Sequence, residues 1–67
     1  MEIVMSRHAL EQSRERGVSI NEIKKAIQCG AKHLQDQNKV VSDFMHVRVV
    51  YRKRKEKHFI ITVMIRQ

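Results

Sequence analysis

The chain has 67 residues and carries 14 Lys and Arg against 7 Asp and Glu, a net charge of +7. A chain of this length forms one domain and buries only about 60% of the surface that it exposes when unfolded, so its core is small. A single cysteine excludes an internal disulfide, and no apolar run approaches the ~20 residues that cross a bilayer. Because residues 1–5 also lack the basic start of a signal peptide, we expect a cytoplasmic protein with residues 1–67 in one domain and no membrane contact.

Two helices are predicted in the first half of the chain. Ser6 is suited to cap the first helix, because its hydroxyl can accept a hydrogen bond from an N–H group of the first turn. Residues 7–16 contain no Gly, Pro or β-branched residue, and Gly17 stands where a helix end favours a left-handed residue. The second helix opens with a capping box of Ser19 and Glu22. Its apolar face and its end are marked by Ile20, Ile23, Ile27 and Gly30.

The helix pair and the segment after it leave two interpretations open. A helix-turn-helix that reads DNA is compatible with two helices joined by a short link, but no third helix is predicted. Packing of both helices on a sheet is therefore favoured. Residues 31–43 contain short apolar pieces around a polar stretch at 35–39, which favours one or two short strands and a turn.

The C-terminal third, residues 44–66, predicts a β-hairpin that organises the rest of the domain. Apolar and polar residues alternate on both sides of the basic segment 53–57, as they do in half-buried strands. With that segment as the turn, Tyr51 pairs with Phe59 and the hairpin has one wholly apolar face. The predicted core is Leu10, Ile20, Ile23, Ile27, Val47, Val49, Tyr51, Phe59, Ile61, Val63 and Ile65.

The opposite face of this hairpin is expected to be cationic and open. In the same register Arg52 lies beside His58, and Arg48 lies beside Thr62. The chain after residue 30 holds nine basic and three acidic side chains, almost the whole net charge. Such a basic patch is typical of a protein that binds a polyanion, most often nucleic acid, although an acidic protein or an anionic membrane fits the charge equally well. The residues expected to hold RNA phosphates are Arg48, Arg52, Lys53 and Arg54.

Metal-binding patterns are sparse, whereas groups that could cleave RNA are present. Zinc sites need two close-set ligand pairs, and only Cys29 and His33 form one, so we expect no metal and no cofactor. RNA cleavage needs groups that move protons and cations that stabilise the phosphorane charge. Residues of these kinds are His8, His58 and Tyr51 for proton transfer, and Arg14, Arg16, Arg48 and Arg52 for charge.

Most of these residues also have an ordinary structural interpretation. A histidine in the first turn of a helix, such as His8, more often packs or caps than catalyses. Tyr51 falls on the predicted core face, where a structural aromatic is typical. Arg16 can remain solvated or form a weak surface pair with Glu15.

Three motifs occur in order along nearly the whole chain. Residues 6–10 read SRHAL, residues 14–19 read RERGVS and residues 60–63 read IITV. Together they resemble a small prokaryotic domain family of unknown function, number 4258, whose members open with S-x-H-A, continue with E-R-G-[IV]-S and end on I-I-T.

This resemblance implies a fold like that of the superfamily that groups barnase, EndoU, colicin nucleases and RelE-type toxins. Those domains place N-terminal helices against an antiparallel sheet and often cleave RNA. The positions that match the family motif are His8, Arg16 and Thr62. The chain departs from the family at Gln12, where Arg is usual, and so lacks a cation on the helix face near His8.

We therefore expect an α+β fold, with two N-terminal helices packed on one face of a three- to four-stranded antiparallel sheet, similar to RelE and barnase. The leading hypothesis is a toxin-like RNA-binding domain, and metal-independent endoribonuclease activity is left open. The alternative is a non-catalytic protein-interaction module, a homodimer or a domain bound to an antitoxin-like partner, which associates through Val50, Ile60 and Met64. The expected catalytic residues are His8, Arg16, His58 and Thr62.

Overall fold

The computed structural model describes residues 1–66 and has an α+β fold of two helices and one five-stranded sheet. Both helices were predicted at these positions, and their ends agree with the capping residues. The elements in chain order are β1 (Glu2–Met5), α1 (Arg7–Arg16), α2 (Ile20–Cys29), β2 (Ala31–Leu34), β3 (Val40–Phe44), β4 (Val47–Arg54) and β5 (Lys57–Ile65).

The caps of the two helices explain why the chain folds locally as it does. The Ser6 hydroxyl accepts a hydrogen bond from the Ala9 N–H at 3.0 Å. Gly17 ends α1 with φ +66°, a left-handed conformation that costs glycine little. Before α2, the Ser19 hydroxyl accepts from the Glu22 N–H and the Glu22 carboxylate accepts from the Ser19 N–H, which completes the capping box.

The sheet has more strands than predicted and is mixed rather than antiparallel. Its strand order is β1-β5-β4-β3-β2, and β1 pairs with β5 in parallel, whereas the other neighbours are antiparallel. The prediction of three or four antiparallel strands was wrong because β1 has only four residues. A segment that short carries too little alternation to show that it is a strand or which strand it joins.

Both helices pack on the same face of the sheet, over one apolar core. Helix α1 contacts β5 and β1, and α2 contacts β3 and β4. Burial of one large aliphatic side chain contributes about 1.5–3 kcal/mol, and a cluster of this kind therefore provides most of the stability of a small domain. The core residues are Ala9, Val18, Ile23, Ala26, Ile27, Val47, Val49, Tyr51, Ile60 and Val63.

The β4–β5 hairpin differs from its predicted register because it contains a β-bulge. Val50 lies opposite Thr62, but the next residue, Tyr51, lies opposite Ile60, so that Ile61 is an extra residue in β5. The turn has two residues instead of the five predicted, with Lys55 at φ +56°.

The bulge changes which side chains of β5 enter the core. Ile60 is 1% exposed in the core, whereas Phe59 is 36% exposed and Ile61 is half-buried. The prediction that Phe59 and Ile61 are core residues was therefore wrong, because an extra residue exchanges the two faces of a strand. The other predicted core residues that lie outside the buried cluster are Leu10, which is half-buried, and Ile20 and Ile65, which are exposed.

Candidate nucleic-acid interface

Among residues 1–66, no helix packs on the sheet face opposite α1 and α2, and we call this face the open face. In β4, the residues that alternate with the core positions point to this face. Their partners in β5 share it, because residues directly opposite each other in a sheet lie on one face. The open face of the hairpin carries Arg48, Val50, Arg52, Arg54, Phe59, Thr62 and Met64.

A groove of about 510 Å³ lies on this face beside the basic hairpin. Phe59 is central to it, with Arg52 directly opposite in β4 and Val4 directly opposite in β1. The groove thus combines an accessible aromatic ring, aliphatic walls and cations within one concave surface. The side chains and backbone that line it belong to Val4, Met5, Ser6, Asn38, Arg52, Lys53, Arg54, Phe59, Ile60 and Ile61.

The tip of the hairpin gives the groove a strongly positive rim. Residues 52–57 read RKRKEK, five cations and one carboxylate. Lys55 and Glu56 form the turn, and the other four residues are the paired ends of β4 and β5. Every one of these six side chains is exposed. Clustered cations of this kind raise the local concentration of a polyanion and speed its association.

The loop between β2 and β3 forms another border of the groove through Asn38. The Asp36 carboxylate accepts hydrogen bonds from the backbone N–H groups of Asn38 at 2.8 Å and Lys39 at 3.0 Å. These bonds, the one from Asn38 first, hold the pKa of Asp36 below its usual value. The loop is thereby fixed by its own side chain, a common role of Asp in turns.

Arg48 is less available to a ligand than the other arginines of the open face. Its guanidinium donates to both Asp43 carboxylate oxygens, at 2.7 and 3.0 Å. This pair lowers the pKa of Asp43, and Arg66 approaches the same carboxylate at 3.9 Å. Within residues 1–66, neither Arg52 nor Arg54 has a carboxylate oxygen within ion-pair distance. The structure therefore leaves Arg52 and Arg54 as the cations ready to contact an anion in the groove.

His58 and Thr62, both expected to be catalytic, lie on opposite faces of the sheet. Thr62 is half-buried on the open face, opposite Val50. His58 is 8% exposed and lies on the face of the sheet that the helices share, where its ring contacts Tyr51 with a centroid distance of 5.3 Å. The residue opposite His58 in β4 is Lys53 rather than the predicted Arg52. A ligand on the open face cannot contact both His58 and Thr62.

The environment of His58 favours the neutral ring. Its Nδ1 atom is buried and has no hydrogen-bond partner among residues 1–66. Burial, followed by the charges of Lys53 and the N-terminal amine, lowers the pKa of His58 below 6.5. A neutral, packed imidazole of this kind is an element of the core and is poorly placed to exchange protons with a bound substrate.

We predict that His58 makes the protein less stable at acid pH. Because the pKa of His58 is lower in the folded than in the unfolded chain, the unfolded chain takes up the proton first. The full contribution of His58 is present above the unfolded pKa and is lost as the pH falls through the folded pKa. Urea unfolding at a series of pH values from neutral to mildly acidic measures this loss.

The matched variants for this measurement are His58→Phe and His8→Gln. His58→Phe keeps an aromatic ring against Tyr51 but has no titrating group, so its stability should change less with pH. His8 is exposed, and His8→Gln should retain the pH dependence of the natural chain. An unaltered pH dependence in His58→Phe would contradict the assignment.

The remaining two predicted catalytic residues lie on α1, in the helix layer. His8 and Arg16 are both exposed, and eight residues of α-helix separate them by about 12 Å along the axis. His8 lies two residues beyond Ser6, which borders the groove, whereas Arg16 is at the far end of the helix. The four predicted catalytic residues are thus distributed over the helix layer, the core and the open face.

Gln12 has a structural role at the edge of the sheet. Its side-chain oxygen accepts a hydrogen bond at 3.0 Å from the Val63 N–H. Val63 lies beyond the part of β5 that pairs with β1, since the last pair of these two strands is Met5–Ile60. An Arg side chain carries only donors and could not accept this bond. Gln12 therefore satisfies this backbone N–H of β5 with a neutral acceptor, which an arginine at the same position could not provide.

The groove residues that were not predicted to contact RNA include Phe59, Ile61, Val4 and Asn38. The first two were assigned to the core because the bulge was not recognised. The sequence does contain a warning of the bulge, the apolar run Phe59–Val63, which is interrupted only by Thr62. Because apolar and polar residues do not alternate there, the pattern cannot show which face of the sheet each residue occupies.

Neither a metal site nor a membrane-spanning helix is found in the part of the chain that the structure describes. Among residues 1–66, no three His, Cys, Asp or Glu side chains come together in a way that could hold a metal ion. No helix of residues 1–66 has the length and apolar character needed to span a membrane.

Of the comparisons with known proteins, only the one with protein-family models gives a match to this chain. No curated protein matches it, and no solved structure matches it either. One family model matches residues 5–65, which covers α1, α2 and most of the sheet. The chain therefore belongs to the family described as "Domain of unknown function (DUF4258)".

Proposed function

We propose that this chain is a toxin-like RNA-binding domain that holds RNA on the open face of its sheet. The observation that carries the proposal is the groove in which Phe59 lies between aliphatic walls and beside Arg52 and Arg54. Among residues 1–66 no carboxylate oxygen lies within 4.0 Å of either guanidinium, although the charge of Arg52 contributes to the lowered pKa of Asp36. Arginine binds phosphate through two parallel hydrogen bonds, and an exposed aromatic ring offers a surface for a base. The two parts of a nucleotide thus find complementary groups in the same groove.

The charge distribution supports RNA as the partner over an uncharged ligand. The hairpin tip, with five cations in six residues, continues directly from the groove. A polyanion that fills the groove would therefore extend along the tip and gain further phosphate contacts with Lys53, Arg54, Lys55 and Lys57.

Salt dependence of RNA binding tests the proposal. We expect a fluorescent RNA oligonucleotide to bind with an affinity that falls linearly, on logarithmic axes, as the salt concentration rises. The slope counts the phosphates that the protein neutralises, at about 0.7 per contact for a single strand. Absence of binding at low salt, or binding without salt dependence, would overturn the proposal.

Metal-independent RNA cleavage is a second candidate, and His8 is the residue best placed for it. His8 is exposed and follows Ser6, which borders the groove, by two residues. Incubation of RNA with the protein and a chelator tests for activity. Cleavage that is lost in His8→Ala but retained in His58→Ala would assign proton transfer to His8, and cleavage that persists in both variants would exclude both histidines.

The alternative function, association with a second copy or with an antitoxin-like protein, now depends on a different surface. The predicted stripe of Val50, Ile60 and Met64 is not formed, because Ile60 lies in the core and Val50 is 5% exposed. Strand β2 instead supplies an edge without a strand partner within residues 1–66, and Leu34 is 70% exposed there. Sedimentation over a range of concentrations tests this function, and a strict monomer at high concentration would exclude the homodimer.

A further inference from the structure

We infer that the groove selects single-stranded RNA by stacking one unpaired base on Phe59. This inference rests on the proposed function and adds the form of RNA that the site accepts. The volume of about 510 Å³ is within the range of about 300–1,000 Å³ that is usual for ligand pockets. The site is therefore large enough to enclose one nucleotide rather than only to touch a phosphate.

Phe59 is available to a ligand because of the bulge. With Ile61 as the extra residue, Ile60 enters the core and Phe59 turns to the open face, 36% exposed. Bulges are frequent next to functional sites, where they redirect a side chain. The bulge thus exposes an aromatic ring that would otherwise add to the small core. The ring lies between Val4 on one side and Arg52 on the other.

The arrangement of cations around the ring fits an extended strand of RNA. Arg52 and Arg54 lie two residues apart on the same face of β4, a separation of about 7 Å. Consecutive phosphates of an extended single strand have a comparable spacing. Arg52 and Arg54 can therefore contact neighbouring phosphates while the base between them reaches Phe59.

A duplex would not use this site in the same way. The bases of a duplex are stacked on each other and paired, so that their faces are closed to a protein ring. A single strand can turn one base out at little cost, and stacking on an aromatic side chain then stabilises the complex. The exposed side chain of Asn38, at the groove border, offers an amide for hydrogen bonds to the edge of that base.

A tryptophan at position 59 provides a direct measurement, because the natural chain has no Trp. We expect Phe59→Trp to bind a single-stranded oligonucleotide at least as tightly as the natural chain, with quenching of its fluorescence as the base stacks. Phe59→Leu keeps an apolar side chain but has no ring, and should bind about tenfold or more weakly. A blunt-ended RNA duplex, in which the same oligonucleotide is fully paired with its complement, should bind more weakly than the single strand and quench less.

The control is Ile65→Ala, which removes another exposed apolar side chain of β5 outside the groove and should leave binding unchanged. Unquenched fluorescence of Phe59→Trp with RNA bound, or equal affinity for the single strand and the blunt duplex, would overturn the inference and leave phosphate binding by Arg52 and Arg54 intact. Failure of the natural chain to bind any RNA would overturn the proposed function itself.

Discussion

Gly30→Ala is expected to lower the free energy of unfolding by at least about 3 kcal/mol, the upper end of ordinary overpacking, and so to remove much of the folded population. The expected loss arises because there is no room for a methyl group at position 30, and not because alanine disfavours the backbone conformation there. Gly30 has φ −74° and ψ 161°, values that any residue adopts. A methyl group at this position, however, would lie 2.5 Å from the Ser42 hydroxyl and 2.8 Å from the Asp43 carbonyl oxygen, and would overlap the Ala26 carbonyl oxygen even more closely.

The contacts around Gly30 cannot move without disturbing the core. Ser42 is fully buried, and its hydroxyl donates a hydrogen bond to the Ala26 carbonyl at the end of α2. Gly30 itself donates to the same carbonyl at 3.0 Å. The methyl group would thus separate α2 from β3 at the point where two hydrogen bonds join them. A domain of this length has a total stability of only about 3–10 kcal/mol, so this loss is decisive.

Chemical denaturation followed by circular dichroism measures the effect, with Gly17→Ala as the matched control. Nothing lies within 4 Å of a methyl group at Gly17, and only its φ of +66° opposes the substitution. We expect that variant to lose only about 1–2 kcal/mol, the cost of a left-handed alanine. Equal losses in the two alanine variants would show that space at Gly30 is not the limiting factor.

The helices could be predicted from sequence because their signals act over short distances. A cap such as Ser6 or Ser19 bonds to an N–H group only three residues away, so the residues that determine the helix end are adjacent in the sequence. Gly17 likewise acts through its own backbone. None of these interactions depends on which strand or helix lies alongside.

The pairing of the strands depends on distant residues, and there the prediction was only partly right. Alternation in β4 correctly separated the core positions from the arginines of the open face. In β5, Phe59, Ile60 and Ile61 are all apolar, so hydrophobicity could not identify which of them is the extra residue of a bulge. The missing information is the twist and register of the folded hairpin, which sequence alternation does not contain.

The candidate site, like the strand pairing, could be predicted only in part from the sequence. Arg52 was predicted to contact phosphate from strand alternation and Arg54 from the charge of the predicted turn, and both side chains line the groove. The pairing of Arg48 with Asp43 could not be predicted, because it depends on the register between β3 and β4. The same limitation applies to His58, whose burial follows from the bulge at Ile61, three residues away.

Simultaneous replacement of Arg52 and Arg54 by alanine is expected to weaken RNA binding by about 100-fold or more, since each charge-assisted hydrogen bond to a phosphate contributes about 1.5–3 kcal/mol. The salt slope should fall by about 1.4, because two phosphate contacts are lost at about 0.7 each for a single strand. Both side chains are exposed and have no carboxylate partner within residues 1–66, so stability should change little. Fluorescence anisotropy over a salt series measures affinity and slope together.

A control with the same net charge separates a specific site from general attraction. Arg14→Ala combined with Lys25→Ala removes two exposed cations from the helix layer, on the other side of the sheet. If RNA occupies the open face, this control should bind nearly as tightly as the natural chain, with the full salt slope. If instead both double variants lose affinity equally, the chain attracts RNA through its overall charge of +7 and the groove is not the binding site. The two cation pairs therefore decide whether the uncovered sheet face, rather than the basic composition of the chain, recognises RNA.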